Sequence, residues 1–111
     1  MQILSYFPGQ KVVIFLETVN NNNVRTDSVT LPIVDRVIFP GLTLASGYPQ
    51  TMTQLDIGLY YYQFILPSGA SSVGNYLIDV SFVNPVNGFS NNEIYQIIVN
   101  APFGNFGTTI G

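Results

Sequence analysis

The chain has 111 residues, a formal charge of −3, 47% hydrophobic residues and only 8% charged ones, where about a quarter is usual. That length makes one domain, which should bury about two-thirds of the surface its unfolded chain exposes. With three cations, no histidine and no cysteine, it lacks the charge to hold nucleic acid or an anionic membrane, and it lacks disulfides, soft metal ligands and the usual bases and nucleophiles.

Residues 1–8 have no basic start and are broken by Pro8, so no secretory leader is expected, and no run approaches the roughly 20 apolar residues of a membrane helix. Residues 1–10 are expected as an extended N-terminal arm. Residues 11–18 alternate as a strand, with Val12, Ile14 and Leu16 on one face and Lys11, Val13, Phe15 and Glu17 on the other. Four asparagines, residues 20–23, then make a tight loop, because asparagine tolerates left-handed backbone angles and bonds its own backbone. Residues 24–31 read as a second strand closed by Pro32, and residues 35–39 as a short third closed by Pro40 and Gly41. Residues 41–50 form a Gly/Pro/Ser connection, and residues 51–55 an edge strand.

From residue 55 one phrase occurs twice: a turn glycine, a spacer, a tyrosine, then apolar residues on alternate positions. The first copy starts at Gly58-Leu59-Tyr60 and places Tyr60, Tyr62, Phe64 and Leu66 on one face. The second starts at Gly74-Asn75-Tyr76 and places Tyr76, Ile78, Val80 and Phe82 on one face. Residues 85–88 are a turn, and residues 93–100 are the last strand, with Tyr95, Ile97 and Val99 inward. Residues 101–111 hold too many glycines for a strand, yet they carry Phe103, Phe106 and Ile110. They are expected as a C-terminal arm that packs on its own domain or on a neighbouring subunit.

The order of glycine, tyrosine and alternating strand, repeated across Leu66-Pro67 and a linker, resembles immunoglobulin-like repeats of the filamin type. Asp56-Ile57-Gly58-Leu59-Tyr60 is similar to the Asp-x-Gly-x-Tyr at the start of a late immunoglobulin strand, where the tyrosine makes a corner with upstream backbone. There is no tryptophan and no cysteine pair, which sets the chain apart from antibody domains. Gly88-Phe89-Ser90-Asn91-Asn92 stands where filamin repeats carry Gly-Ser-Pro-Phe. The resemblance implies an all-β, immunoglobulin-like β-sandwich of about seven antiparallel strands over residues 11–100, with arms at both ends. A small domain of this kind, low in charge and rich in asparagine, also resembles bacteriophage virion components such as head decoration, neck and tail proteins.

Catalysis in this composition would need paired carboxylates. Asp56 reads as a turn cap, and Asp79 as a solvated strand residue. Asp27 and Asp35 read as surface ion-pair partners of the nearby Arg25 and Arg36. No calcium loop of Asp-x-Asp-x-Asp-Gly type is present, and Gly104 and Gly107 have no lysine after them that would make a phosphate loop. No catalytic residue, metal site or cofactor is therefore expected. Alternation puts Tyr60 and Tyr62 inside and leaves Tyr61 exposed. Together with Val13, Phe15 and Ile65 it forms an apolar outer patch, the usual mark of a contact site. The candidate interface is Val13, Phe15, Tyr61 and Ile65, with Phe103, Phe106 and Ile110 of the tail. The expected partners are other virion proteins, in a capsid or tail lattice, and copies of the chain itself. Nucleic acid and membranes are not expected partners. The expected location is the virion, after synthesis in host cytoplasm. The alternative is a module that binds a host-surface glycan or protein through loops 20–23 and 41–50.

Overall fold

The computed structural model describes residues 2–69 and 72–101 and is all-β. Among the described residues nine strands follow in chain order: β1 (Gln2–Tyr6), β2 (Lys11–Glu17), β3 (Ile33–Phe39), β4 (Thr43–Leu44), β5 (Gln50–Thr51), β6 (Thr53–Asp56), β7 (Leu59–Ile65), β8 (Gly74–Val83) and β9 (Ser90–Val99). They lie in two sheets. The larger runs β1-β9-β8-β3-β4 with β5 also on β3, and the smaller runs β2-β7-β6. Every pairing is antiparallel except that of β1, which lies parallel to β9 from Gln2 opposite Tyr95 to Tyr6 opposite Val99. Residues 2–6, in the segment expected as an arm, thus form an edge strand of the larger sheet, and Leu4 and Tyr6 pack on the core.

The period-two pattern explains the core. Val12, Ile14 and Leu16 of β2 and Tyr60 of β7 face Val34, Val37, Tyr76, Ile78, Val80, Tyr95, Ile97 and Val99 of the larger sheet, and all are buried. Two β-rich faces of this kind close into a two-layer, sandwich-like arrangement. Each such side chain, fully buried, contributes roughly 1.5–3 kcal/mol. The three buried tyrosines also need partners for their hydroxyls. Tyr60 Oη accepts from the Ser28 N–H at 2.9 Å, Tyr76 donates to the Ser72 carbonyl at 2.8 Å, and Tyr95 donates to the Phe15 carbonyl.

Residues 24–31 are not a strand. Their one pairing is an isolated bridge between Val19 and Arg25, and Val24, Val29 and Leu31 are exposed. The segment carries the chain from β2 in one sheet to β3 in the other, so its polar groups are spent on both. The Thr26 N–H donates to the Thr18 carbonyl, Ser28 binds Tyr60, and the Ser28 hydroxyl exchanges hydrogen bonds with the backbone of Val83. Residues 51–55 also cross between sheets. β5 pairs β3, β6 pairs β7 as an edge strand, and the buried Met52 stands at the changeover. The four-asparagine loop forms as expected. Asn20 Oδ1 accepts from the Asn22 and Val24 N–H groups, and Asn23 holds a left-handed φ of 62°.

Candidate interaction surfaces

The outer face of the smaller sheet gathers the candidate residues of β2 and β7. Phe15 stands directly opposite Tyr61, which in turn stands opposite Thr53 of β6, so one row crosses all three strands. Val13 pairs with Gln63 and Ile65 with Lys11 on the same face. Phe15 is 49% exposed and Ile65 70%, while Val13 and Tyr61 are half-buried by their neighbours. Opposed aromatic pairs of this type stabilise a sheet only modestly. The patch is therefore exposed for contact while contributing only modestly to the fold. Phe103, Phe106 and Ile110 lie outside the described residues.

A second apolar face went unnoticed in the sequence. On the outer side of the larger sheet the register aligns Ile3, Gln96, Leu77, Ile38 and Leu44 in one row, one residue from each of β1, β9, β8, β3 and β4. Ile94 and Ile98 flank Gln96 on the same side of β9. The signal for this face was the adjacent apolar doublets Val37-Ile38, Leu77-Ile78 and Ile97-Ile98, because neighbouring strand residues point to opposite faces.

The charged residues are committed to structure. Asp79 lies on that outer face but is only 8% exposed, not solvated as expected. Arg36 Nε and a guanidinium NH2 group donate to its Oδ2 at 3.2 and 3.1 Å, and Asn92 Nδ2 donates to its Oδ1 at 2.9 Å. The expected pairings of Asp27 with Arg25 and of Asp35 with Arg36 do not form. Arg25 reaches Glu17 instead at 3.6 Å. Asp27 Oδ1 accepts from the Gly58 N–H and Gln54 Nε2, and Asp35 Oδ1 accepts from the Ser81 hydroxyl. Closeness in sequence failed as a guide because Arg36 stands opposite Asp79 across the β3–β8 pair and bonds it there, and because residues 24–31 turn Asp27 toward the β6–β7 turn. Asp56 caps its turn as expected, accepting from the Ile57 N–H.

Among the described residues no group of three or more histidine, cysteine or carboxylate side chains converges on a point that could hold a metal, and no helix is long and apolar enough to cross a membrane. A depression of about 390 Å³ is lined by Ile38, Phe39, Pro40, Gly41, Leu42, Asn75, Leu77 and Gln96, without a titratable side chain. Burial pushes the hydroxyls of Tyr48, Tyr76 and Tyr95 above the ordinary value. The Tyr62 hydroxyl adds to the effect on Tyr48, and Glu93 to that on Tyr95. All three are held as hydrogen-bonded neutral phenols, Tyr48 against the Tyr62 hydroxyl at 2.7 Å. Residues 20–23 follow β2 near Gly58. Residues 41–50 begin at the other end, beside Gly74, and run back along the edge of β3, with Thr43 and Leu44 paired to Phe39 and Ile38 and Gln50 paired to Val34, so part of the expected connection is edge strand.

No protein-family model matches this chain, and neither does a curated protein sequence or a solved structure.

Proposed function

We propose that the chain is a non-catalytic virion structural protein, a capsid decoration or neck and tail component, that binds a protein lattice by burying neutral sheet surface. The observation that carries this reading is the Phe15–Tyr61 row with Val13 and Ile65 beside it on the outer face of the smaller sheet. Fully covered, apolar anchors of this size contribute roughly 1.5–3 kcal/mol each, so a repeating lattice needs few per subunit. The low charge of the whole chain supports the same reading, since surface meant for assembly carries less of the charge that keeps a free protein soluble.

The finer fold reading is immunoglobulin-like. The order β1-β9-β8-β3-β4 over β2-β7-β6 is what a variable-type immunoglobulin domain would give, with its GFC sheet extended and its B, E and D strands in the other layer. The tyrosine that reaches back a few residues to the backbone is Tyr76, bonded to Ser72, at the start of the strand that such an alignment makes F. Tyr60, in the Asp-x-Gly-x-Tyr phrase, instead meets backbone across the long span to Ser28. Binding of a glycan or host protein through loops is the weaker reading, because part of residues 41–50 pairs along the edge of β3 as β4 and β5.

The test is a density gradient of lysate from the source, with mass spectrometry across the fractions. The chain should band with assembled particles at fixed stoichiometry. A Phe15→Asp/Ile65→Asp variant should keep its melting temperature and leave the particle fractions. A wild-type chain that stays with free soluble protein refutes the assembly reading.

A further inference from the structure

We propose that β2 is a self-pairing edge, along which a second copy of this chain adds its own β2 antiparallel about a twofold axis. The inference goes beyond the lattice reading and does not depend on it. It starts from the backbone. The Leu66 N–H donates to the Gln10 carbonyl and the Thr18 N–H to the Gly58 carbonyl, both at 2.9 Å. Between them the register runs without a shift from Lys11 opposite Ile65 to Glu17 opposite Leu59. Val12, Ile14 and Leu16 therefore bond β7, while Lys11, Val13, Phe15 and Glu17 turn their N–H and carbonyl groups away from it. Among the described residues no strand lies on that side, because β2 is the edge of the smaller sheet. The Phe15 carbonyl accepts from the Tyr95 hydroxyl, and a carbonyl has a second lone pair for another donor. Edge strands are ordinarily blunted by shortness, a bulge or proline. β6 has four residues and a register shift, and β4 and β5 have two residues each. β2 has seven residues, no proline and no bulge.

The placing of charge makes the partner a second copy. β2 carries a cation at one end, Lys11, and an anion at the other, Glu17, both exposed and equally far from Ile14. Antiparallel pairing centred on Ile14 sets Lys11 of each copy opposite Glu17 of the other, and Val13 opposite Phe15. These are the residues whose backbone groups face outward, so each opposed pair exchanges both N–H···O bonds. Registers centred on Val13 or Phe15 would also satisfy the backbone, but they set Lys11 against Phe15 or Glu17 against Val13. Lys11 has no ion pair among the described residues, and Glu17 meets Arg25 at 3.6 Å on exposed surface. Self-complementarity of this kind is what a twofold contact requires. Opposed residues share a face, so the pairing also joins the Val13, Phe15 and Tyr61 patches of the two copies into one. Main-chain hydrogen bonds supply the affinity and the end charges fix the register, as in other strand additions.

Sedimentation velocity of the purified full chain over a wide concentration range tests this. The wild type should form a reversible dimer. Lys11→Glu and Glu17→Lys each turn two symmetry-related attractions into repulsions, so each alone should weaken the dimer about tenfold. An equimolar mixture of the two variants again sets opposite charges against each other at every end pair, and it should regain the wild-type affinity. Two chains that merely fold badly would not recover on mixing, so the readout stands even where a variant melts lower. A wild type that is monomeric at every concentration overturns the proposal, and one that dimerises only after deletion of residues 102–111 overturns it by giving the edge to the tail. A dimer indifferent to both reversals uses another surface and overturns it as well, as does a mixture that stays apart. Open-ended oligomers in place of a dimer would mean a head-to-tail edge contact and overturn the twofold.

Discussion

A Cβ added to Gly58 would stand 2.7 Å from both the Thr18 carbonyl oxygen and the Thr26 nitrogen, and the residue holds a φ of 65°. Both obstacles are backbone and cannot swing aside. Gly58→Ala should therefore destabilise by about 2–4 kcal/mol, whereas Gly41→Ala, also at positive φ but with open space around it, should lose only about 1 kcal/mol. Thermal melts of the two variants check the difference, and equal losses would mean that the close approach at Gly58 is relieved. The tyrosines make a second prediction at this scale. Tyr48, Tyr76 and Tyr95 are raised above their ordinary value of 10.0 in the folded chain, so folding keeps protons that the unfolded chain releases. Their contribution is complete below pH about 10 and is lost as the pH rises past it. Melting temperature should hold steady through neutral pH and fall once the unfolded tyrosines ionise. A melting temperature unchanged to pH about 12 would contradict this.

Strands were legible where one face is buried and the other wet. β2, β7, β8 and β9 declared themselves by alternation, and most of their inward residues, from Val12 to Val99, are buried, while Tyr62, Phe64 and Phe82 are half-buried against the core. Residues 24–31 were misread because Val24, Val29 and Leu31 resemble strand residues in composition, while nothing local reveals that the segment passes between sheets. A pair of substitutions separates the two situations. Ile78→Ala, at a site with no exposure, should cost about 2–5 kcal/mol. Val29→Thr, at 65% exposure, should stay within about 0.5 kcal/mol. A large loss at Val29 would return that segment to the core. The outer row through Leu77 and Ile38 was hidden for a different reason. Inward and outward apolar residues stand next to each other there, and only the cross-strand register shows that the outward ones line up.

Across the whole molecule the distribution of charge sets what kind of contact the chain can make. Its cations are Lys11, Arg25 and Arg36, and the two arginines are paired within the chain, with Glu17 and Asp79. If the chain attaches to a lattice as proposed, attachment through faces of this composition rests on apolar burial, which salt does not screen, and raising the ionic strength screens only exposed charges. Particle-bound chain should therefore remain bound when salt is raised from about 0.1 M to about 1 M, although the Debye length falls from about 10 Å to about 3 Å. Release over that range would assign the attachment to ion pairs. The tail enters at the same scale. If the tail packs on a neighbour and not on its own domain, deleting residues 102–111 should leave the melting temperature unchanged. If Phe103, Phe106 and Ile110 dock on a neighbour, the same deletion removes the chain from the particle fractions of a gradient. A truncated chain that melts normally and still bands with particles would leave the sheet faces to make the attachment alone.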